Sequence, residues 1–425
     1  MSAVTIGVGV PPARVRTRAF DAERIALGTT AVAVALLPLL VPRGPSNLGP
    51  ADVLMAASIV SCFVWAVSSR QRWIFFYSLP MALFLAAGVL GALAGPVPNA
   101  GIVAILQDVF LLAWCWSLAN LCRSSARLRL LVATWAYSAI AWAILLFIGL
   151  AVGSTFLTGH SSREGSRTAL TFVDPNVSAN YYVISIMILW ASGRPRRLGL
   201  RLLAYGLLVA ALVTTGSNSG IVSLCVGVAV AAVVGTYRRT GAMPALALSM
   251  FILFFGYLAA SNISISSIQD RAHASRYAFI RDGIGRGEVS VSQRSDLLHE
   301  SLVLYKQGGL LGQGPVSTKP RLEREQAPFV KEAHDDYLSA LIERGVIGLV
   351  ALLMLLTTVV FRGWAVARPR PGPGPGGTGV IVHPNALFGA LIGTLVASTV
   401  YELLHVRHVW ALFGLLAALS LWQRD

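Results

Sequence analysis

An all-α polytopic membrane protein of about twelve transmembrane helices is the fold class expected of this chain, on three observations. Hydrophobic residues fill 55% of the 425 positions and charged residues only 12%, against roughly 25% charged in a water-soluble domain. So few charges cannot cover a solvated surface, and a mean hydropathy of +0.68 agrees. The apolar residues form continuous runs near the ~20 residues that cross a hydrocarbon core of about 30 Å, without the alternation of a barrel strand. Finally, the basic residues gather in short clusters between those runs.

Spans are expected near 25–42, 51–68, 74–94, 101–121, 130–152, 178–192, 200–215, 218–236, 243–260, 345–361, 384–403 and 409–422. The first follows a polar, Arg-containing N-terminus without a small-residue cleavage site, so it reads as a retained helix and not as a removed signal peptide. The runs 178–192, 200–215 and 409–422 are short for a full crossing.

The net charge of +15 comes from 31 Arg and 3 Lys against 19 acidic residues. Their distribution is that of an orientation signal and excludes a nucleic-acid-binding face. Segments on one side of the expected bundle hold 19 Lys and Arg, and the short loops on the other hold 4: Arg43, Arg163, Arg167 and Arg407. Both termini are therefore expected to be cytoplasmic. Cys62, Cys115, Cys122 and Cys225 lie in or beside apolar runs and show no metal-ligand spacing, so no disulfide framework, metal or cofactor is expected.

Three regions follow. Residues 1–260 make a bundle of about nine spans, residues 261–344 an extracytoplasmic loop, and residues 345–425 the last spans with a Pro/Gly connector at 369–379. The long loop carries 11 acidic and 11 basic residues and is no plain linker. After Ser292 its leucines recur at helical spacing, and Gly308-Gly309 can stop that helix. A loop of this length without a function is uncommon.

The most informative stretch is His334-Asp-Asp-Tyr-Leu-Ser-Ala-Leu-Ile-Glu-Arg-Gly-Val-Ile-Gly348. His334, Leu338 and Leu341 share a helical face, which puts an imidazole at the membrane surface above two anchoring leucines. Such an imidazole can take a proton from a hydroxyl near neutral pH, with Asp335 or Asp336 to orient it. A solvated histidine at a helix start is the plainer alternative. Within the spans, Asp108 must face protein or a watery cavity, and a hydrogen bond to a neighbouring Ser or Trp is the expectation. Glu402, His405, Arg407 and His408 either line the same cavity as His334 or form a self-satisfied network. His160, His273, His299 and His383 read as packing or solvated residues.

The pattern His-Asp-x-Tyr-Leu-x-x-Leu-x-Glu-x-Gly-x-x-Gly, set after a long outside loop and before a late span, resembles the O-antigen ligase and Wzy polymerase superfamily. Arg294, followed by a helix and Gly309-Leu-Leu-Gly-Gln-Gly314, is similar to the family's Arg-to-Gly-x-Gly segment. Asp174-Pro-Asn176 with Ala179 is similar to its Pro-Asn motif, and Thr215-Gly-Ser-Asn-Ser-Gly220 to its Thr-x-Ser-Arg-x-Gly turn. The resemblance covers roughly residues 160–350. This chain departs from it at Asn218, where the family has Arg, and at Asp335, where it has Asn.

The resemblance implies a GT-C-like, metal-independent glycosyltransferase that uses no nucleotide cofactor. Its donor would be an undecaprenyl-diphosphate-linked glycan, its acceptor a glycan or lipid hydroxyl outside the membrane, and its surroundings the membrane lipids of a bacterial cytoplasmic (inner) membrane. It also implies His334 and Arg294 as catalytic residues, with Asn176, Asn218, Asp335 and Tyr337 at the substrate. The lost arginine at 218 would be replaced by Arg163 or Arg167 in the nearer loop, or by Arg271, Arg276 or Arg281 in the longer one. Arginine suits diphosphate because its planar fork pairs with two oxygens. Two other readings stay open: a flippase or secondary transporter of polyprenyl-linked or small anionic substrates, and a family member without activity, which Asn218 permits.

Overall fold

A computed structural model describes residues 13–42, 48–160, 165–172, 174–262, 270–276, 281, 303–306, 309–324, 335–368 and 379–422. Among them the regular structure is entirely helical. Twelve helices have fourteen residues or more: α1 (Ala13–Ala35), α2 (Pro50–Ser68), α3 (Ser78–Ala94), α4 (Pro98–Leu121), α5 (Ser125–Val152) and α6 (Pro175–Ser192), then α7 (Leu198–Thr214), α8 (Asn218–Thr240), α9 (Ala242–Asn262), α10 (Asp336–Ala367), α11 (Pro384–Ala397) and α12 (Arg407–Leu421). Each expected span falls on one of these helices. Five of them, α2, α4, α5, α8 and α10, are long and apolar enough to cross a membrane, and α3, α7, α9, α11 and α12 are shorter apolar helices. The molecule is a multi-pass membrane protein.

The helix ends follow local chemistry. Proline opens α2, α4, α6 and α11, where its missing N–H costs nothing. Glycines with φ near +70° close α5 at Gly153 and α6 at Gly193, the left-handed position that side chains resist.

Burial sorts the helices into two shells. In α6 and α12 nearly every residue is buried, as expected of helices apolar all round. α11 joins them and packs against α6 and α8. The outer helices bury one stripe and turn the other outward: Met243 is 77% exposed, Leu253 72% and Leu93 72%. So much exposed apolar surface belongs in hydrocarbon. Small residues let the inner helices touch. A methyl on Gly389 would lie 2.2 Å from the Gly227 carbonyl oxygen, and one on Gly393 2.4 Å from that of Ser223. Gly389 and Gly393 form a small-xxx-small stripe.

The two ends of the bundle differ. One gathers arginines at the C-termini of α2, α4, α6, α8 and α10 and the N-termini of α5 and α7. There, burial and the nearby charges of Arg239, Arg201 and Arg238 hold the His383 imidazole below its ordinary pKa. The opposite end carries most of the hydrogen-bonding hydroxyls, amides and carboxylates described next.

Candidate functional site

The polar end is organised around the start of α6. Asp174 caps this helix, its carboxylate accepting the Asn176 N–H at 2.7 Å, a helix-start device that Pro175 reinforces. The Asn176 amide oxygen accepts from Ser217 Oγ at 2.8 Å and from Arg167 Nη2 at 3.2 Å. Arg167 Nε donates to the Thr215 carbonyl at 2.8 Å, and the residue is only 6% exposed. The Thr168 N–H reaches the Thr214 carbonyl at 3.0 Å. The loop before α6 is thus joined to the turn between α7 and α8. Ser217 also caps α8, accepting from the Gly220 N–H at 3.2 Å. Asn218, the first residue of α8, is exposed.

On its other side Asp174 accepts a hydrogen bond from the Tyr401 hydroxyl, which leads into the connection between α11 and α12. The N–H groups of Leu403 and Leu404 in that connection donate to the Asp336 carboxylate at 2.9 and 3.1 Å. The Asp336 N–H donates to the Ser398 carbonyl at 3.0 Å. Asp335 caps α10, accepting the N–H groups of Tyr337 and Leu338 at 2.7 and 3.1 Å. Burial pushes its carboxyl above the usual carboxylate range, and those two donors oppose the shift. The Tyr337 hydroxyl reaches the Leu395 carbonyl at 3.4 Å. The chain immediately after His334 is therefore bolted to the same layer that holds Arg167, Asn176 and Ser217.

A third contact fixes α10 from behind. Its helical run breaks at Gly345, where φ is +65° and ψ −167°. A methyl there would meet the Leu310 carbonyl oxygen at 2.0 Å. The Gln313 and Gly314 N–H groups donate to the carbonyls of Ile342 and Glu343 at 2.8 and 2.9 Å. Gly91 and Gly95 of α3 admit the same loop: methyls on them would lie 2.8 Å from the Glu343 and 2.2 Å from the Gln313 carbonyl oxygens. The glycines of Gly309–Gly314 and Gly345 thus allow backbone to lie on backbone. Below the break Arg344 Nη2 pairs with Asp108 at 2.6 Å and its guanidinium lies 4.1 Å over the Phe84 ring. Thr318 Oγ1 donates to Glu343 at 3.1 Å.

His334, Arg294 and Arg163 lie outside the described residues, and of the helix expected after Ser292 only 303–306 are described, which are helical. Of the other candidates, Arg167 and Asn176 touch each other, and Asp335 and Tyr337 join them through Asp336, the α11–α12 connection and Asp174. Asp335 and Asp336, read as orienters of an imidazole, use their carboxylates as a cap and as a clamp. Arg271, Arg276 and Arg281 are exposed beyond the end of α9 and take no part in these hydrogen bonds.

One expectation is corrected, and the groups of a cluster left open by the sequence find their partners. The partner of Asp108 is Arg344, 236 positions away, and neither a Ser nor a Trp. The cluster at 402–408 divides: Arg407 forks onto Asp52 at 2.6 and 2.7 Å, His408 lies fully buried with its Nε2 3.0 Å from Asn180 Oδ1, and Glu402 and His405 approach to 4.0 Å. Sequence reading missed Arg344, Asp52, Tyr401 and Asn180. Of these, Asp52 did carry a signal, since a carboxylate set in an apolar run demands a partner.

Residues 203–353 match the protein family described as O-Antigen ligase. The match holds the Thr215–Gly220 turn, Arg294, Gly309–Gly314 and the His334–Gly348 stretch, whereas Asp174-Pro-Asn176 precedes it. No curated protein matches the chain. This similarity, over 151 of the 425 residues, supports the resemblance to the O-antigen ligase and Wzy polymerase superfamily.

Proposed function

We propose that the protein transfers a glycan from undecaprenyl diphosphate to an acceptor hydroxyl at the polar end of the bundle, on the extracytoplasmic side. One observation carries the reading: hydrogen bonds link Arg167, Asn176 and Ser217 through Asp174 to Tyr401, and the backbone that follows Tyr401 binds Asp336 at the start of α10. Segments separated by up to 227 positions in the chain come together there, and three of the four family-like motifs are among them. The fourth, Gly309–Gly314, seats the same helix from behind.

In this reading His334, next to the clamped Asp335 and Asp336, takes the proton of the acceptor hydroxyl. The acceptor oxygen bonds to the anomeric carbon of the donor as that carbon's bond to the diphosphate oxygen breaks. Undecaprenyl diphosphate leaves with its electron pair, and Arg294 balances the charge. Arg167 adds a buried positive charge under the turn where Asn218 stands in place of the family's arginine.

The test is glycan transfer by membranes carrying His334→Ala or Arg294→Ala, with expression checked by immunoblot. Both variants should express normally and lose transfer. Near-normal transfer by either removes its assigned role, and substrate flux by purified protein without a new glycosidic bond would make the chain a transporter.

A further inference from the structure

Far from that layer, near the arginine-rich end, lies a groove between α2 and α4 that the proposed reaction does not use. It has a volume of about 650 Å³, inside the roughly 300–1,000 Å³ range of sites that bury a small ligand. Its wall runs along α2 from Ile59 to Val67, a helix rise of about 12 Å. Ala113, Trp116 and Ser117 of α4 form the facing wall, and Trp73 and Phe75 of the α2–α3 connection close it.

That connection is held rigidly. Asn120 accepts the Ile74 N–H and donates to the Ile74 carbonyl, each at 2.9 Å. Trp116 Nε1 donates to the Phe76 carbonyl at 2.6 Å, and its ring meets Phe75 edge-on at 4.9 Å between centroids. The groove therefore stands preformed, with no side chain left to fill it.

Its polar mouth is as specific as its apolar wall. Arg70 and Gln71 line it, and Arg72, the next residue, takes Arg123 Nη1 on its carbonyl at 2.7 Å. Arg70 is thus the cation that lines this end of an apolar channel, with Arg123 held on the neighbouring backbone. Arg70 stands at φ +52°, a left-handed conformation unusual outside glycine, Asn and Asp and costing about 1–3 kcal/mol. No carboxylate pairs with Arg70, Arg72 or Arg123 among the described residues.

We propose that this groove binds one membrane phospholipid, an acyl chain lying along α2 and α4 and an anionic phosphate headgroup against Arg70 and Gln71. An apolar channel within the bilayer takes hydrocarbon, and a cationic mouth at the level of the headgroups selects negative charge over a zwitterion. The lipid seals the outer face of two helices that otherwise leave this cavity beside the core.

The experiment is native mass spectrometry of the full-length protein from detergent, with added phosphatidylglycerol, phosphatidylcholine or undecaprenyl phosphate. The parent should retain one phosphatidylglycerol in preference to phosphatidylcholine. Arg70→Gln should lower that retention about fivefold, the loss of one headgroup-level charge, and remove the preference. Val67→Trp, at an exposed position on the wall, should exclude both phospholipids while the melting temperature stays at the parent value. Equal retention of the two phospholipids by the parent, or unchanged retention in both variants, overturns the proposal. So does tight retention of undecaprenyl phosphate that phosphatidylglycerol fails to displace, which would make the groove a carrier-lipid site.

Discussion

Arg167 shows how one side chain can be read in two ways. In the sequence it is a cation in a short outside loop, a natural ligand for diphosphate. In the structure its Nε and Nη2 hold the Thr215 carbonyl and the Asn176 amide, which makes it a brace between the loop before α6 and the turn before α8. Hydrogen bonds to a charged group contribute about 1.5–3 kcal/mol each, so losing both with Arg167→Ala should destabilise the protein by about 3–6 kcal/mol in denaturant titrations. Lysine reaches one partner but not both, and Arg167→Lys should fall between the two. An alanine variant as stable as the parent but deficient in transfer would show a substrate ligand and no brace. Asn176 was legible as a candidate because Asp174-Pro-Asn176 resembles the family's Pro-Asn motif. Its bonds to Arg167 and Ser217 were not, because they join different loops.

Among the elements, α10 is the one whose placement depends most on its neighbours. It is clamped at its first turn by the α11–α12 connection and broken at Gly345 where the Gly309–Gly314 loop lies against it. The sequence placed the start of a span near residue 345 but not what rests on it. Gly345→Ala should cost more than about 1 kcal/mol from its positive φ alone, with a further clash against the Leu310 carbonyl. Gly206→Ala in α7, with open space around it, should be neutral or stabilising. The Arg344–Asp108 pair below the break ties α10 to α4. Removing one partner of a buried pair leaves the other charge uncompensated, at about 3–5 kcal/mol. Arg344→Met alone should show that loss, and Arg344→Met with Asp108→Leu should recover most of it. Two independent, additive losses would mean the pair is not coupled.

At the scale of the whole molecule the bundle is polarised, with arginines concentrated at one end and the hydrogen-bonded site layer at the other. The positive-inside rule predicts that the arginine end faces the cytoplasm. In a Cys225→Ser background, where Cys62, Cys115 and Cys122 are buried, a cysteine at Thr155 marks the polar end and one at Thr240 the arginine end. An impermeant maleimide added to intact cells should label the first at once and the second only after permeabilisation. The reverse order would place the proposed site in the cytoplasm, without access to an extracytoplasmic acceptor.

Membrane insertion, the order of the twelve helices and the separation of basic from polar ends were determined by the sequence alone. Each is additive along the chain: the hydropathy of a run sets whether it enters hydrocarbon, and the arginines beside it set its direction. Which residues meet was decided only by the tertiary structure. Asp52 finds Arg407 across 355 positions, Asp108 finds Arg344 across 236, and Asp174 finds Tyr401 across 227. Those pairings follow from how helices are arranged around the bundle and where glycine lets two backbones touch, and neither run length nor charge count encodes that arrangement.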